Sequence, residues 1–484
     1  MRIGLTARPC NSLAPGVSSV LADQRKAMGP MKSYRSATLS LCGGLVAALL
    51  SSAASAQPSP QNIPEIPTPR PPVAPGVAAP EQPLARGQRV TERPRPEYDA
   101  RGVRLGTFFL YPRVELDELF NDNVFATNSN KSSDFITAVS PTLELRSNWS
   151  RHEIDLRTGL SKGWYLDNSS EDYLDYFAAG DGRFDIDRNH AITGGARYER
   201  LHEERDSPDT PGGAAEPVEF NIYSANAGFV QQGLRVGYEA LMDVRREEYE
   251  AVPAVGGSVI SQSIRDVNIY TPSARVSYEV APGYRGFVRG AVNWRNYDHT
   301  SPIAGAADLD RDSWGYRADV GATVDITGVT YAEASIGYLS QEYNDDRLSA
   351  INGFDVGARV VWNATQLTSV VLNVDRQVQD SNNFAVGVGT TSPGYLRSNV
   401  GLSVDHELFR NLLLNGRINY QNDDYEGIDR TDNRFDIGAG VRYLLNNNAY
   451  LGGSYTLTRR DSDGALATGG FTRNLFLIRL GLQL

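Results

Sequence analysis

Arginines and carboxylates recur at every second position in many short segments of this chain, and the intervening positions are apolar. In RADVGATVDI (317–326), Arg317, Asp319 and Asp325 alternate with Ala318, Val320, Ala322, Val324 and Ile326. Such residues can do two kinds of chemistry. Guanidinium forks can pair with carboxylates across neighbouring strands and stiffen a wall, or they can hydrogen-bond a hydrophilic solute moving past them. The polar parity collects Arg235, Glu239, Arg275, Glu279, Arg285 and Arg289. It continues through Arg295, Arg317, Asp319, Asp355, Arg359 and Asp375. Arg397, Arg417, Asp436, Arg442 and Arg479 complete it. These are the expected pore-lining residues, and both uses stay open for them.

No other chemistry is assembled. His152, His190, His202, His299 and His406 fall mainly at turns or loop edges and show no repeated ligand spacing. No Ser–His or Asp–His pair can be built from neighbouring segments, so no catalytic, metal or cofactor site is expected. The acidic stretches at 344–346, 422–426 and 459–463 read as a solvated rim, or as sites for divalent cations that bridge anionic lipid headgroups. None has the ligand spacing of a dedicated calcium loop.

The elements that carry the alternation are strands. In 234–246, Leu234, Val236, Tyr238, Ala240, Met242 and Val244 oppose Arg235, Glu239, Asp243 and Arg245. In 354–362, Phe354, Val356, Ala358, Val360 and Trp362 oppose Asp355 and Arg359. A period of two sustained over such lengths fits a strand and no helix. Connections alternate between short turns, as near 150, 187, 231 and 282, and longer acidic loops, as at 202–217 and 299–312. The tally is about 18 strands, the first near Phe108 to Phe120 and the last Phe471 to Leu484.

Composition agrees. The chain has 484 residues, 24 tyrosines, 46 glycines and 4 methionines, which favours strands and tight turns. Net charge is −11, which argues against a nucleic-acid partner. The only sustained apolar run lies near the N-terminus, so no helical span of about 20 residues is expected in the body of the chain. Alternating strands with short turns at one end and long loops at the other imply one antiparallel up-and-down β-barrel in an outer membrane. Inside a bilayer every backbone polar group must be paired, and only a closed sheet does that with strands. A string of β-sandwiches would need interdomain linkers and mixed loop lengths, which the sequence lacks. The apolar parity then faces lipid and the charged parity faces enclosed water. Trp149, Trp164, Trp294, Trp314 and Trp362 are expected in interfacial girdles, as are Tyr198, Tyr223, Tyr249, Tyr343, Tyr395, Tyr420 and Tyr450.

Residues 31–56, MKSYRSATLSLCGGLVAALLSSAASA, read as an export signal: cations, an apolar stretch, then Ala54-Ser55-Ala56 as cleavage site. Residues 1–30 are read as an upstream extension from a misplaced start. Leu41 before Cys42 disfavours lipid attachment there, so the exported chain is expected to lack cysteine. Residues 57–97 are proline-rich and expected to be an extended, disordered spacer, either a periplasmic tether or a plain leader. Residues 98–484 are the expected barrel.

The segment RPRPEYDARGVRLGTFFLYPRVELDELFNDNVFATNSNKSSDFITAVSPTLELRSNWSRH (93–152) resembles the start of the second group of outer-membrane β-barrel porins. The likeness lies in the RP-EYD entry, the LYP strand, the DNV-A loop and the SDFI hairpin closed by WSRH. It implies an outer-membrane barrel in a Gram-negative bacterium, among lipid and lipopolysaccharide, whose relatives are associated with capsule or exopolysaccharide secretion and periplasmic export components. Asp122, Asn123 and Trp149 are motif positions to which it assigns no role. The expected function is a porin-like channel passing polysaccharide or other hydrophilic solutes; the alternative is a plugged barrel serving as adhesin or assembly platform.

Overall fold

The computed structural model describes residues 87–231, 235–301, 308–326, 328–382 and 392–484. The expected extension (1–30), export signal (31–56) and most of the proline-rich spacer lie outside the described residues.

The strands run in chain order as follows. β1 is Phe108–Asn121, β2 Asp134–Ser147, β3 Glu153–Tyr165, β4 Tyr173–Asp185, β5 His190–His202 and β6 Glu219–Gln231. Then come β7 Val236–Tyr249, β8 Val267–Ala281, β9 Tyr284–Tyr297, β10 Ser313–Ile326, β11 Thr330–Tyr343 and β12 Ile351–Thr365. The last are β13 Thr368–Asp380, β14 Gly394–Phe409, β15 Leu412–Tyr425, β16 Thr431–Asn446, β17 Ala449–Asp463 and β18 Phe471–Gln483. Each pairs antiparallel with its sequence neighbours. β18 returns to β1 in a register running from Arg113↔Gln483 to Asn121↔Leu475, so the sheet closes on itself. The sheet counts 19 strands because the short strand Val103–Leu105 also folds onto β1; without it the wall has 18. Antiparallel closure leaves no exposed edge around the hoop, the condition for a sheet in lipid.

Strands of 13 to 16 residues exceed the span a bilayer requires, so their ends project beyond it. Short turns gather at one end with β1's start and β18's finish; long loops gather at the other. Parity runs as expected. On β10, Trp314, Tyr316, Ala318, Val320 and Ala322 are exposed outward, whereas Ser313, Gly315 and Asp319 are buried inward. β18 exposes Phe476, Ile478, Leu480 and Leu482 and buries Arg473, Leu477 and Arg479.

All five tryptophans are exposed. Trp294 and Trp314 sit opposite each other at the long-loop end, and Trp149 and Trp362 lie near the short turns. Tyr198 and Tyr223 pack with tilted rings on the outer face, and Tyr420 packs tilted against the exposed Phe435. Tyr249, Tyr343, Tyr395 and Tyr450 correct the girdle expectation. They occupy the charged parity and point inward; Tyr395 and Tyr450 are buried, and Arg397 stands over Tyr395. Nearness to a strand end does not make a girdle residue, because parity decides which medium a ring meets.

The motif at 121–127 is structural. Asp122 accepts the Asn474 backbone N–H and side-chain amide, each at 2.6 Å, tying the first loop to β18 at the closing joint. The Asn123 carboxamide binds Thr127 and the Thr472 carbonyl from inside the loop.

Candidate functional site

The site is the barrel interior and the two chain segments that enter its mouths. Period two puts the arginines and carboxylates on the inner surface, and antiparallel register sets them opposite one another. Arg289 meets Asp319 at 3.0 Å and Arg285 meets Glu279 at 3.1 Å. Arg397 grips Asp423 through Nε and Nη2, at 2.8 and 2.9 Å. Arg479 does the same to Asp117 and reaches Glu115 at 3.3 Å. Other pairs skip strands, which is possible only across the concave face. Arg275 of β8 binds Glu333 of β11 at 2.9 Å, and Arg317 of β10 binds Asp355 of β12 at 3.0 Å. Arg275 also lies over the Phe287 ring at 3.8 Å, and Gly321 leaves room for that ring, since a Cβ there would come within 2.4 Å of it.

The remaining expected residues are also placed. Glu239 is directly across from Arg275, and Arg359 from Glu333. Asp375 accepts the Asn399 amide at 3.1 Å, and Arg442 stands 5.0 Å over Tyr450. Arg295 pairs with Asp380. Arg417 and Asp436 line a recess of about 200 Å³ with Asn373, Ser403 and Asn419. Arg235 is the exception. It lies in the turn before β7, exposed, with its guanidinium 5.9 Å over the outward-facing Tyr278 ring. A long side chain at a strand terminus can bend around the rim to an interfacial ring, and sequence parity does not bind it there.

At the long-loop end the connection between β5 and β6, residues 203–218, crosses to the far wall. Asp206, fully buried, receives Arg434 of β16 at 3.0 Å and Arg473 of β18 at 2.9 Å, while Arg460 of β17 donates to its carbonyl at 3.1 Å. Burial alone would raise the Asp206 carboxyl; the guanidiniums of Arg473, Arg434 and Arg460 outweigh it and hold it at about 2. Asp209 accepts the Asn382 backbone N–H at 2.9 Å and is pushed up by burial. Glu203 binds Arg265 of the next long loop at 2.7 Å, and that guanidinium lies 3.8 Å over Tyr249. The crossing loop thus rests on ion pairs with β16, β18 and the loop before β8, and on hydrogen bonds with β17 and Asn382.

At the short-turn end, residues 87–102 run along the inner rim. The Val90 N–H donates to the Ser369 hydroxyl at 2.7 Å, Thr91 reaches Asp405, and Tyr98 packs on Leu413, Leu444 and Tyr450. Arg95 is wholly buried, paired with Glu407 and donating to the carbonyls of Val90, Thr91 and Arg93. Burial lifts Asp99 to about 6 against the pull of the Arg95 backbone N–H and guanidinium. The proline-rich spacer is expected to run free to residue 97; its described part, 87–97, is packed against the barrel. Composition cannot reveal this, because the partners lie some 300 positions away in sequence.

The family model described as "Putative beta-barrel porin 2" matches residues 95–484. The chain belongs to that family. The match begins at the buried Arg95, so the family's span takes in part of the rim segment as well as the barrel. As a β-barrel porin, the chain is a porin-like channel of the Gram-negative outer membrane. No curated protein matches it. Among solved structures, it is similar to Pseudomonas aeruginosa OccK2 (OpdF) in complex with glucuronate, at 11% identity, covering 79% of this chain and 100% of that one, with a TM-score of 0.42. A BenF-like porin from Pseudomonas fluorescens aligns at 10% identity over 78% and 99% of the two chains, TM-score 0.41. The ferric enterobactin receptor PfeA of P. aeruginosa aligns at 7% identity over 78% and 80%, TM-score 0.42.

Proposed function

We propose that this porin is a gated conduit for carbohydrate, with exported polysaccharide as the cargo class, its short-turn end in the periplasm and its long loops outside. The observation that carries the reading is the charge-lined interior spanned at one mouth by a loop held through side-chain ion pairs. Such a loop can leave without breaking the wall. The inner face of β13–β15 adds support. Asn373, Asn399, Asn419 and Gln421 share it with Arg397 and Arg417. Amides and guanidiniums offer paired donors and acceptors that match vicinal hydroxyls and sugar carboxylates. The family resemblance at 93–152 favours polysaccharide over small solutes.

The docked loop also favours a second reading, a permanently sealed barrel acting as a surface adhesin or assembly platform. One experiment separates the two. Purified protein is reconstituted in planar bilayers with and without residues 203–218, and the gene is deleted in its host. A gated conduit conducts once the loop is removed, and deletion depletes surface polysaccharide. No conductance in either form, with surface polysaccharide unchanged, rejects it in favour of the sealed barrel.

A further inference from the structure

The joint between β12 and β13 is built unlike the rest of the wall. β12 pairs with β11 from Ile351 to Trp362, and β13 pairs with β14 along its whole length. Between themselves they pair only from Ala358↔Val374 to Thr365↔Thr368. Beyond that fork, residues 351–357 and 375–380 remain strand but are not paired with each other; the Arg376 guanidinium bridges these stretches, donating to the Phe354 carbonyl at 3.4 Å. The other joints among the described residues stay paired close to their long-loop ends.

The end of β13 is bent into the lumen, and side chains from across the interior hold its freed edge. The Arg376 carbonyl accepts Arg317 Nη2 at 2.7 Å, and the Val378 carbonyl accepts Arg295 Nη2 at 3.2 Å. These carbonyls are two residues apart, the spacing at which a neighbouring strand would supply donors. Arg295 also pairs with Asp380, whose second oxygen accepts the Tyr297 hydroxyl at 2.7 Å. Behind this edge, β14 laps inside β12. Leu396 packs in a buried cluster with Leu339 and Ile351, joined by Val378, and a Cβ on Gly353 would lie 2.8 Å from the Leu396 side chain. The crossing loop sits on the lapped end through Asp209 and Asn382, and Gln379 and Asp380 border the same recess as Asp206.

The same strands have a second arrangement open to them. Continuing the existing register would set Gly357 opposite Asp375, Asp355 opposite Gln377 and Gly353 opposite Gln379. Both arrangements satisfy the edge of β13, one with guanidiniums and the other with a backbone ladder. The lapped form narrows the lumen and seats the loop; the zipped form widens it and removes the seat. Packed elements with two discrete arrangements switch between them and do not deform continuously. We propose that the long-loop half of β13 is a strand gate, lapped inside when the channel is closed and zipped onto β12 when it is open. This rests on the conduit reading and adds how that conduit is regulated.

The test uses the full chain carrying Gly353→Cys and Gln379→Cys, in bilayers and in the outer membrane. The sequence has two natural cysteines, Cys10 and Cys42, both far upstream of the wall. In the lapped form Gly353 faces Leu396 while Gln379 faces the loop, so a disulfide between 353 and 379 requires zipping. Because a Cβ at 353 crowds Leu396 in the lapped form, the expected result is some cross-link at rest and a yield several-fold higher when Asp206→Asn is added, with oxidation locking a high-conductance state that reductant reverses. A second variant guards against misfolding of the cysteine pair. Arg295→Gln with Arg317→Gln leaves both backbones intact and should raise the open-to-closed ratio roughly ten-fold or more. Absence of the cross-link in a channel that Asp206→Asn has opened, or an unchanged ratio in the arginine variant, overturns the gate and leaves the conduit standing. If loop removal gives no conductance, the conduit reading falls, while the cross-link yield still reports on β13 by itself.

Discussion

Asp206→Asn is the substitution that most directly loosens the crossing loop. It keeps the side chain's shape and removes the charge that Arg434 and Arg473 share. Breaking a buried ion network by deleting one partner costs about 3–5 kcal/mol. The lower end applies here, because Arg434 retains Asp436 at 3.0 Å and Arg473 retains Glu204 at 3.3 Å. About 3 kcal/mol corresponds to roughly a hundredfold rise in the undocked-to-docked ratio. Single-channel recording in planar bilayers reads this as open probability, with folding checked by heat-modifiable migration in gels. Acid should do the same to the wild type. The Asp206 carboxyl is held at about 2 when docked, against 3.8 for a free aspartate, so its contribution is present above about 4 and is lost as pH falls through about 2. Open probability should rise in that window, and the rise due to Asp206 should vanish in Asp206→Asn. Asp345→Asn is the control, since Asp345 pairs with the exposed Arg347 of its own loop and accepts the Asp310 backbone N–H, away from residues 203–218. A folded Asp206→Asn barrel with wild-type open probability would refute the reasoning.

Asp209 works in the opposite sense, because burial raises its carboxyl and its ionised form resists docking. Asp209→Asn should therefore lengthen closed times at pH 7 in the same recordings. Arg95→Ala should release residues 87–102 from the rim at a cost of about 3 kcal/mol, the lower end because Glu407 keeps the exposed Arg410 at 3.7 Å, read as new tryptic cleavage after Arg89. Asp99, lifted to about 6, binds its proton more tightly in the docked segment, so docking should weaken as pH rises from about 4 to 6; hydrogen exchange of residues 88–99 measures it. On the outer face, Val320→Arg should destabilise the barrel by about 2–4 kcal/mol in urea unfolding from lipid vesicles, whereas Thr323→Arg on the inner face should change it far less.

The wall was legible because its physics is local. Two media on two faces force period two, and short turns alternating with long loops give strand number and connectivity. Val320 and Asp319 declare their sides by position alone. Tyr395 could have been placed by the same rule, since it shares parity with Arg397; its place near a strand end suggested the wrong medium. What stayed hidden depends on contacts between distant positions. Asp206 meets Arg434 and Arg473 across the width of the barrel, and Val90 meets Ser369 from the other end of the chain. Nothing in HEERDSPDTPGG distinguishes a loop folded inward from one waving outside. The fork beyond Ala358 is equally silent, because the alternation in 354–362 continues unbroken through the point where β13 departs.

The central claim is that the two parities of each strand meet different media. Single cysteines at Val356 and Arg359, neighbours on β12 that face opposite ways, test it in intact outer membranes with a charged, membrane-impermeant maleimide. The account predicts modification at 359, faster still when Asp206→Asn opens the mouth, and none at 356, where a fluorophore should instead be quenched by brominated lipid. Modification of 356 with protection of 359 would place the apolar parity in water and contradict the account.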